Sequence, residues 1–229
     1  MAIYQCFKKT SPNSLTEHNL VLDIDDTLVQ TFEDIHQLYK CPIMKNSKYY
    51  PVRKRLYILN FEDSDEGKES DDNKVWGVKR PHIEDFLIFA TQYFRNVVIW
   101  SAGTYDYVHS IVKNIFKNLP CPTKVFTRND CFQSEEFGYE KPLQKVFSQI
   151  PEMNSYNTFL IDDRQEVFSR KDPDNGIIIP PFSPDINDLD ALTNDTCFLD
   201  LKKWFMLPEV MEAYDVRELD KRKIFTQEN

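Results

Sequence analysis

The fold of this chain is decided by residues 18–29, which read HNLVLDIDDTLV. The aliphatic run from Leu20 to Leu22 is short and apolar enough to be a buried strand of a parallel sheet. Carboxylates follow it at once, at Asp23, Asp25 and Asp26. Because open α/β sheets bind their ligands at the carboxyl ends of the strands, acids at this position indicate a chemical site.

The alternation of an extended chain places Asp23 and Asp25 on the same side and Asp26 on the other. Two neighbouring carboxylates repel each other and need a cation, or one of them must carry a proton. Either arrangement suits catalysis, as a metal site or as a nucleophile beside a general acid. The alternative interpretation is that Asp25 to Thr27 only caps a following helix.

Length and composition indicate one α/β domain over residues 1–229, with a core at about 18–219 and an insert at about 40–79. The hydrophobic content of 41% is enough for a sizeable core. The net charge of −9 argues against direct nucleic-acid binding, since such proteins usually carry the opposite sign. A phosphate pocket is still compatible with this charge, because a bound cation inverts the local field.

The cysteines form no C-x-x-C pair and their number, five, is odd, which argues against zinc and against a disulfide framework. The N-terminus lacks the apolar segment of a signal peptide, and no apolar run reaches the length of a membrane span. We therefore expect an intracellular protein, nuclear or cytoplasmic, with no membrane association.

Apolar runs and helical periodicities alternate along the rest of the chain. The predicted strands after the first are 56–61, 74–79, 97–100, 124–127, 159–161 and 176–179, and the predicted helices start at Pro81, Thr104 and Lys141 and fill much of 185–229. This alternation predicts a Rossmann-like parallel sheet with helices on both faces. Strands 56–61 and 74–79 form a small antiparallel insert, whose acidic tip at 62–72 is expected in solvent. We expect a loop over 128–140.

Polar side chains recur at the ends of these predicted strands. Ser101 follows one strand, Asp162 and Asp163 follow another, and Lys141 opens a helix. Each alone is ordinary, as a helix-approach residue, a capping turn or a surface cation, but their order predicts one shared site beside Asp23. Carboxylates suit Mg²⁺, Lys141 would neutralise phosphate, and the Ser101 hydroxyl would donate to it.

The same motifs resemble the haloacid dehalogenase superfamily, and within it the small phosphatases that act on the C-terminal domain of RNA polymerase II. The resemblance spans roughly residues 18–219. The matching stretches are LDIDDTL (22–28), KRPHIEDFL (79–87), WSA (100–102) with Tyr107, FTRNDC (126–131), YEK (139–141) and LIDD (160–163).

The resemblance implies a role for each matching residue. Asp23 would be the nucleophile, and Asp25 the general acid and base. Ser101 and Lys141 would bind phosphate. The residues implied to hold Mg²⁺ are Asp23, Asp25 (through its backbone carbonyl), Asp162 and Asp163. Arg128 and Tyr107 would line the approach of a peptide substrate, in a groove shaped by the insert.

The leading hypothesis is therefore a Mg²⁺-dependent phosphatase that acts on phosphoserine or phosphothreonine of a protein through an aspartyl-phosphate. The C-terminal domain of RNA polymerase II is one candidate substrate. The alternatives are a phosphatase of a small molecule or of a nucleic-acid end, and a catalytically silent binding module. A signalling receiver domain is rejected, because there the lysine comes last, whereas Asp162 and Asp163 follow Lys141 here.

Overall fold

The computed structural model describes residues 14–61, 73–136, 138–168 and 172–226. The predicted acidic tip at 62–72 and the first thirteen residues lie outside these ranges. The strands, in chain order, are β1 (Asn19–Leu22), β2 (Val29–Phe32), β3 (Leu56–Asn60), β4 (Lys74–Lys79), β5 (Asn96–Trp100), β6 (Lys124–Phe126), β7 (Phe132–Ser134), β8 (Gly138–Glu140), β9 (Thr158–Asp162) and β10 (Gly176–Ile178). The helices are α1 (Ile35–Lys40), α2 (Pro42–Lys45), α3 (Tyr50–Arg53), α4 (Ile83–Tyr93), α5 (Tyr105–Ile115), α6 (Gln144–Phe147), α7 (Leu189–Thr193), α8 (Cys197–Phe205) and α9 (Pro208–Met211).

The centre of the molecule is a five-stranded sheet in the order β10-β9-β1-β5-β6. All of its strand pairs are parallel. The strand that carries the first acidic motif, β1, is therefore the middle strand, with β5 and β9 on either side. This arrangement confirms the predicted α/β Rossmann-like fold.

Alternating side chains of β1 divide the core between the two faces of the sheet. Leu20 and Leu22 pack into one cluster with residues of α4, α5 and α8, whereas Val21 packs into another with Val146 of α6. All three β1 residues have no exposed surface. Helices thus cover both faces of the sheet, as the sequence predicts.

The insert after β1 is a second, antiparallel sheet in the order β2-β4-β3. It has its own apolar core, which includes Trp76, Ile43 and Val52. The Trp76 ring stacks on Phe32 with 4.4 Å between ring centroids, and its Nε1 donates to the Asp34 carbonyl over 2.9 Å. The predicted pairing of 56–61 with 74–79 is confirmed, and β2 is an additional strand.

Two local predictions are wrong, and one alternative interpretation is excluded. Asp25 to Thr27 does not cap a helix, because strand β2 follows. Helix α4 begins at Ile83 and not at Pro81, since His82 has a φ of 63° and cannot continue a helix towards the N-terminus. The expected loop at 128–140 contains the β7–β8 hairpin, in which Phe132 pairs with Glu140.

The cysteines and the basic segment before β3 make contacts that the sequence did not predict. Cys41, Cys131 and Cys197 are free thiols, whereas Cys121 is disulfide-bonded. In the basic segment before β3, Arg53 donates to the Ile43 carbonyl and Arg55 donates to the Leu192 carbonyl. These two side chains therefore stabilise the fold.

None of the helices in the described ranges is both long and apolar enough to cross a membrane.

Candidate active site

The acidic and polar residues predicted from the sequence meet at the carboxyl edge of the central sheet. Asp23 follows β1 directly and its N–H donates to the Ile161 carbonyl of β9 over 3.0 Å. Asp162 ends β9, and Ser101 follows β5. Because β1, β5 and β9 are adjacent and parallel, the three side chains share one end of the sheet.

Lys141 lies at the bottom of this site with 1% of its surface exposed. Its Nζ donates to Asp162 Oδ2 over 2.6 Å and also to Asp23 Oδ1. Burial alone would lower the pKa of Lys141, but the carboxylates of Asp162 and Asp23 outweigh it and raise the pKa. Lys141 is therefore a fixed positive charge inside the site.

The β7–β8 hairpin delivers this lysine, because Lys141 comes directly after β8. Its backbone N–H donates to the Val167 carbonyl over 2.8 Å, which anchors the chain at the point where it enters the site. The sequence prediction found the lysine but missed the hairpin that carries it.

Three carboxylates form a group that could hold a metal ion. Oxygen atoms of Asp23, Asp162 and Asp163 all lie within 4.8 Å of one another. The pKa of Asp23 is raised, mainly by burial and secondly by the negative charge of Asp162. The same two causes raise the pKa of Asp163 to about 6. One lysine does not neutralise three acids, so the group favours a divalent cation, and its all-oxygen donor set fits Mg²⁺.

The side chain of Asp25 is held by two hydroxyl groups. Ser101 donates to Asp25 Oδ2 over 3.1 Å, and the Tyr107 hydroxyl donates to Oδ1. Burial raises the pKa of Asp25, which favours a protonated carboxyl group. Ile24, between the two acids, is fully buried, as the predicted alternation requires, but Asp26 was wrongly placed on the other side, because it lines one groove with Asp23 and Asp25.

Ser101, for which the resemblance implies phosphate binding, lies next to Asp25. It is fully buried, and its Oγ accepts the N–H of Gly103 over 3.0 Å while it donates to Asp25. Ser101 therefore connects the end of β5 with the acidic motif after β1.

A groove of about 620 Å³ opens above these residues. It is lined by Arg128 and Tyr107, as predicted, and by Tyr139. The guanidinium carbon of Arg128 lies 5.4 Å from the centre of the Tyr139 ring, and Arg128 Nε donates to the Ala102 carbonyl over 2.7 Å. This wall therefore combines a cation with two aromatic rings.

Sequence reasoning gave no role to several residues that line the groove, among them Thr31, Glu33, Tyr139 and Arg164. Tyr139 and Arg164 are sequence neighbours of predicted residues and could have been found by proximity. Thr31 and Glu33 carried no signal, because the strand that brings them to the groove was not predicted.

A family model described as NLI interacting factor-like phosphatase matches residues 18–217. No curated protein matches the chain. Among solved structures, fission yeast RNA polymerase II CTD phosphatase Fcp1-R271A bound to beryllium fluoride matches with a TM-score of 0.54 and 20% identity, over 90% of this chain and 54% of that one. A second structure, Fcp1 described as an essential RNA polymerase II CTD phosphatase, matches with a TM-score of 0.53 and 19% identity, over 82% and 49%.

The chain thus spans about half the length of these solved structures. Their likeness supports the fold, and the family match covers nearly all of the central sheet and the insert. The expected resemblance to phosphatases of the haloacid dehalogenase superfamily is confirmed. The chain belongs to the family of NLI interacting factor-like phosphatases.

Proposed function

We propose that this protein is a Mg²⁺-dependent phosphatase that removes phosphate from phosphoserine or phosphothreonine of a protein through an aspartyl-phosphate on Asp23. The observation that carries the proposal is the grouping of Asp23, Lys141 and Asp162 in one buried cluster, with Asp25 lining the same groove as Asp23. This arrangement combines a nucleophile, a fixed cation and a separate acid.

In the first half of the reaction a carboxylate oxygen of Asp23 forms a bond to phosphorus while the bond from phosphorus to the serine or threonine oxygen breaks. Lys141 holds Asp23 Oδ1, which leaves Oδ2 to attack. The protonated Asp25 gives its proton to the departing alkoxide, a poor leaving group that needs such an acid.

In the second half Asp25, now ionised, accepts a proton from a water molecule that attacks the aspartyl-phosphate. The bond between phosphorus and Asp23 breaks, and inorganic phosphate leaves with Asp23 regenerated. Throughout, the Lys141 ammonium offsets part of the negative charge at the cluster, and Ser101 would bind phosphate, as the resemblance implies.

The carboxylates of Asp23, Asp162 and Asp163 would hold Mg²⁺, together with the backbone carbonyl of Asp25 that the resemblance implies. When bound, Mg²⁺ supplies Lewis-acid stabilisation of the phosphoryl charge.

A protein substrate is favoured by the walls of the groove. The deep cluster accepts the phosphate, while Arg128 and the rings of Tyr107 and Tyr139 are suited to contacting a polypeptide. The solved relatives are named as phosphatases of the RNA polymerase II C-terminal domain, which makes a phosphorylated peptide of that domain the first substrate to test.

The test is steady-state hydrolysis of p-nitrophenyl phosphate and of a phosphoserine peptide by the full chain. We expect activity that requires added Mg²⁺, disappears with EDTA and returns when Mg²⁺ is restored. Asp23→Asn should abolish it, whereas Asp85→Asn, a matched change at an exposed position of α4, should leave it intact. Absence of activity from folded, Mg²⁺-loaded protein would support the silent binding module instead.

A further inference from the structure

A row of three hydroxyl groups runs from Asp25 into the insert. The Tyr107 hydroxyl contacts Asp25 Oδ1 on one side and lies 2.7 Å from Thr31 Oγ1 on the other. Thr31 Oγ1 lies 2.6 Å from the hydroxyl of Tyr57. Since Tyr107 is on α5, Thr31 on β2 and Tyr57 on β3, the row joins the central domain to both outer strands of the insert.

Gly77 makes this row possible. It pairs with Thr31 on one side and with Tyr57 on the other, so the three residues lie side by side across the insert sheet. A Cβ atom at position 77 would lie 2.2 Å from the Tyr57 hydroxyl and 2.4 Å from the Gln30 carbonyl. Only glycine lets the Tyr57 ring cross the middle strand and reach Thr31.

The hydroxyl protons give the row a direction. A hydroxyl has one proton to donate and can accept as well. With the Asp25 carboxylate as the acceptor, Tyr107 donates to Asp25, Thr31 donates to Tyr107, and Tyr57 donates to Thr31. Each hydroxyl is thus held by the next, and Tyr57, which is 4% exposed, is the buried end of the row.

We propose that Tyr107 is a positioning residue that fixes the orientation of Asp25, and that the insert holds Tyr107 in place through Thr31 and Tyr57. This inference rests on the proposed function, since the orientation of Asp25 affects the rate only if Asp25 transfers protons during the reaction. Tyr107 therefore has a second task besides lining the groove: its ring faces the substrate while its hydroxyl is engaged by Asp25.

The orientation of Asp25 is set from both sides. Ser101 holds Oδ2 from the end of β5, and Tyr107 holds Oδ1 from α5. Removal of the Tyr107 hydroxyl leaves one of these two contacts, so the carboxyl group gains freedom to rotate. A catalytic group that is misplaced by a small distance loses much of its effect, because proton transfer requires hydrogen-bond reach.

The proposal is tested with Tyr107→Phe, which keeps the ring in the groove and removes only the hydroxyl. The quantity to measure is kcat/KM for p-nitrophenyl phosphate, a good leaving group, and for phenyl phosphate, a poor one. We expect the loss with phenyl phosphate to exceed the loss with p-nitrophenyl phosphate by about tenfold or more, since acid catalysis contributes about 10²- to 10⁴-fold where protonation is needed. KM should change little for both substrates.

Two further positions test the row beyond Tyr107. Thr31→Val keeps the branched shape and removes the hydroxyl, and Tyr57→Phe removes the end of the row. Both should change the ratio of kcat/KM for p-nitrophenyl phosphate to kcat/KM for phenyl phosphate in the same direction as Tyr107→Phe does, by a smaller factor. Thr31→Ser keeps a hydroxyl, so its ratio of kcat/KM for the two substrates should be close to that of the wild type.

The matched control is Tyr49→Phe. Tyr49 also lies in the insert, is 6% exposed and donates its hydroxyl to the Asn187 carbonyl over 2.6 Å, but it has no link to Asp25. This variant should keep the wild-type ratio. An equal loss on both substrates in Tyr107→Phe, or the same shift in Tyr49→Phe, would overturn the positioning role.

Failure of this inference is distinct from failure of the proposed function. If the wild-type chain hydrolyses neither substrate, the phosphatase proposal itself fails. If the wild type is active and Tyr107→Phe, Thr31→Val and Tyr57→Phe all keep the wild-type ratio, the phosphatase stands and the row of hydroxyls is only structural.

Discussion

Lys141 is a buried cation shared between two buried carboxylates. The side chains of Lys141 and Asp162 are each 1% exposed and that of Asp23 is 9% exposed. Taking such charges out of water costs several kcal/mol each, and their attraction repays this cost only while all partners are present. Each member of the cluster therefore depends on the others for its stability.

At neutral pH in EDTA, Lys141→Met should lower the free energy of unfolding by about 3–5 kcal/mol, because it leaves uncompensated buried carboxylates. Urea denaturation followed by circular dichroism measures this change. Lys124→Met, a matched substitution of an exposed lysine, should change stability by no more than about 0.5 kcal/mol. Equal stability of the Lys141 variant and wild type would show that Asp23 and Asp162 do not need this cation.

At the level of elements, Arg80 connects three segments around the acidic loop. Its side chain is fully buried, and two of its nitrogens donate to the carboxylate of Asp195, over 2.9 and 2.7 Å. The guanidinium also donates to the carbonyls of Thr27, in the loop after β1, and Pro180, after β10. Arg80 thus holds the loop that carries Asp23 and Asp25 against the segment before α8.

Arg80→Met should destabilise the protein by about 3–5 kcal/mol, since it leaves the carboxylate of Asp195 without its partner. The matched control is Arg95→Met, whose exposed pair with Glu17 is worth at most about 1 kcal/mol. Thermal and urea unfolding of both variants compare the two ion pairs directly. If Arg95→Met costs as much as Arg80→Met, the connection that we assign to Arg80 is wrong.

Elements with a strong pattern were predictable, and those fixed by distant contacts were not. β1 and β5 are recognisable because they are short, apolar and buried on both faces. The β7–β8 hairpin was missed because Phe132 and Gln133 are exposed and show no alternation. Its strands form through their mutual pairing, which a single sequence does not display.

The same distinction applies to the candidate site. Asp23, Ser101 and Asp162 were found because each ends a recognisable strand of one parallel sheet. The contact between Tyr107 and Thr31 was not predictable, because it depends on the register of β2 against β4 at Gly77. The contacts of the Asp25 side chain with the hydroxyls of Ser101 and Tyr107 were likewise not predictable, because they depend on residues distant in the chain.

Across the whole molecule, His18 joins the start of β1 to the C-terminal segment. Its Nε2 donates to the Ala213 carbonyl over 2.9 Å, and its ring packs edge-on against Phe159 at 5.6 Å. Nδ1 is buried and has no hydrogen-bond partner in the structure. A second proton on the ring would therefore be unsatisfied, and burial lowers the pKa of His18 below its usual value of 6.5.

This lowered pKa predicts a pH dependence of stability. As pH falls through about 6.5, the unfolded chain takes up a proton at His18 that the folded protein does not, so the free energy of unfolding decreases. Urea titrations between neutral and mildly acid pH should show this loss in the wild type. His18→Gln keeps a hydrogen-bond donor and cannot be protonated, so it should lose less stability over the same pH range. If the free energy of unfolding falls equally steeply with pH in His18→Gln and in the wild type, His18 is not the group responsible.

The most direct test of the whole account is the identification of the phosphorylated residue during turnover. The full chain is mixed with p-nitrophenyl phosphate and Mg²⁺, quenched in acid, digested with pepsin and analysed by mass spectrometry. Asp25→Asn should accumulate the intermediate, because its base for hydrolysis is missing. We expect a single hydroxylamine-sensitive phosphate on Asp23, absent from Asp23→Asn; turnover with phosphate on another residue, or with no phosphorylated protein in either form, would contradict the account.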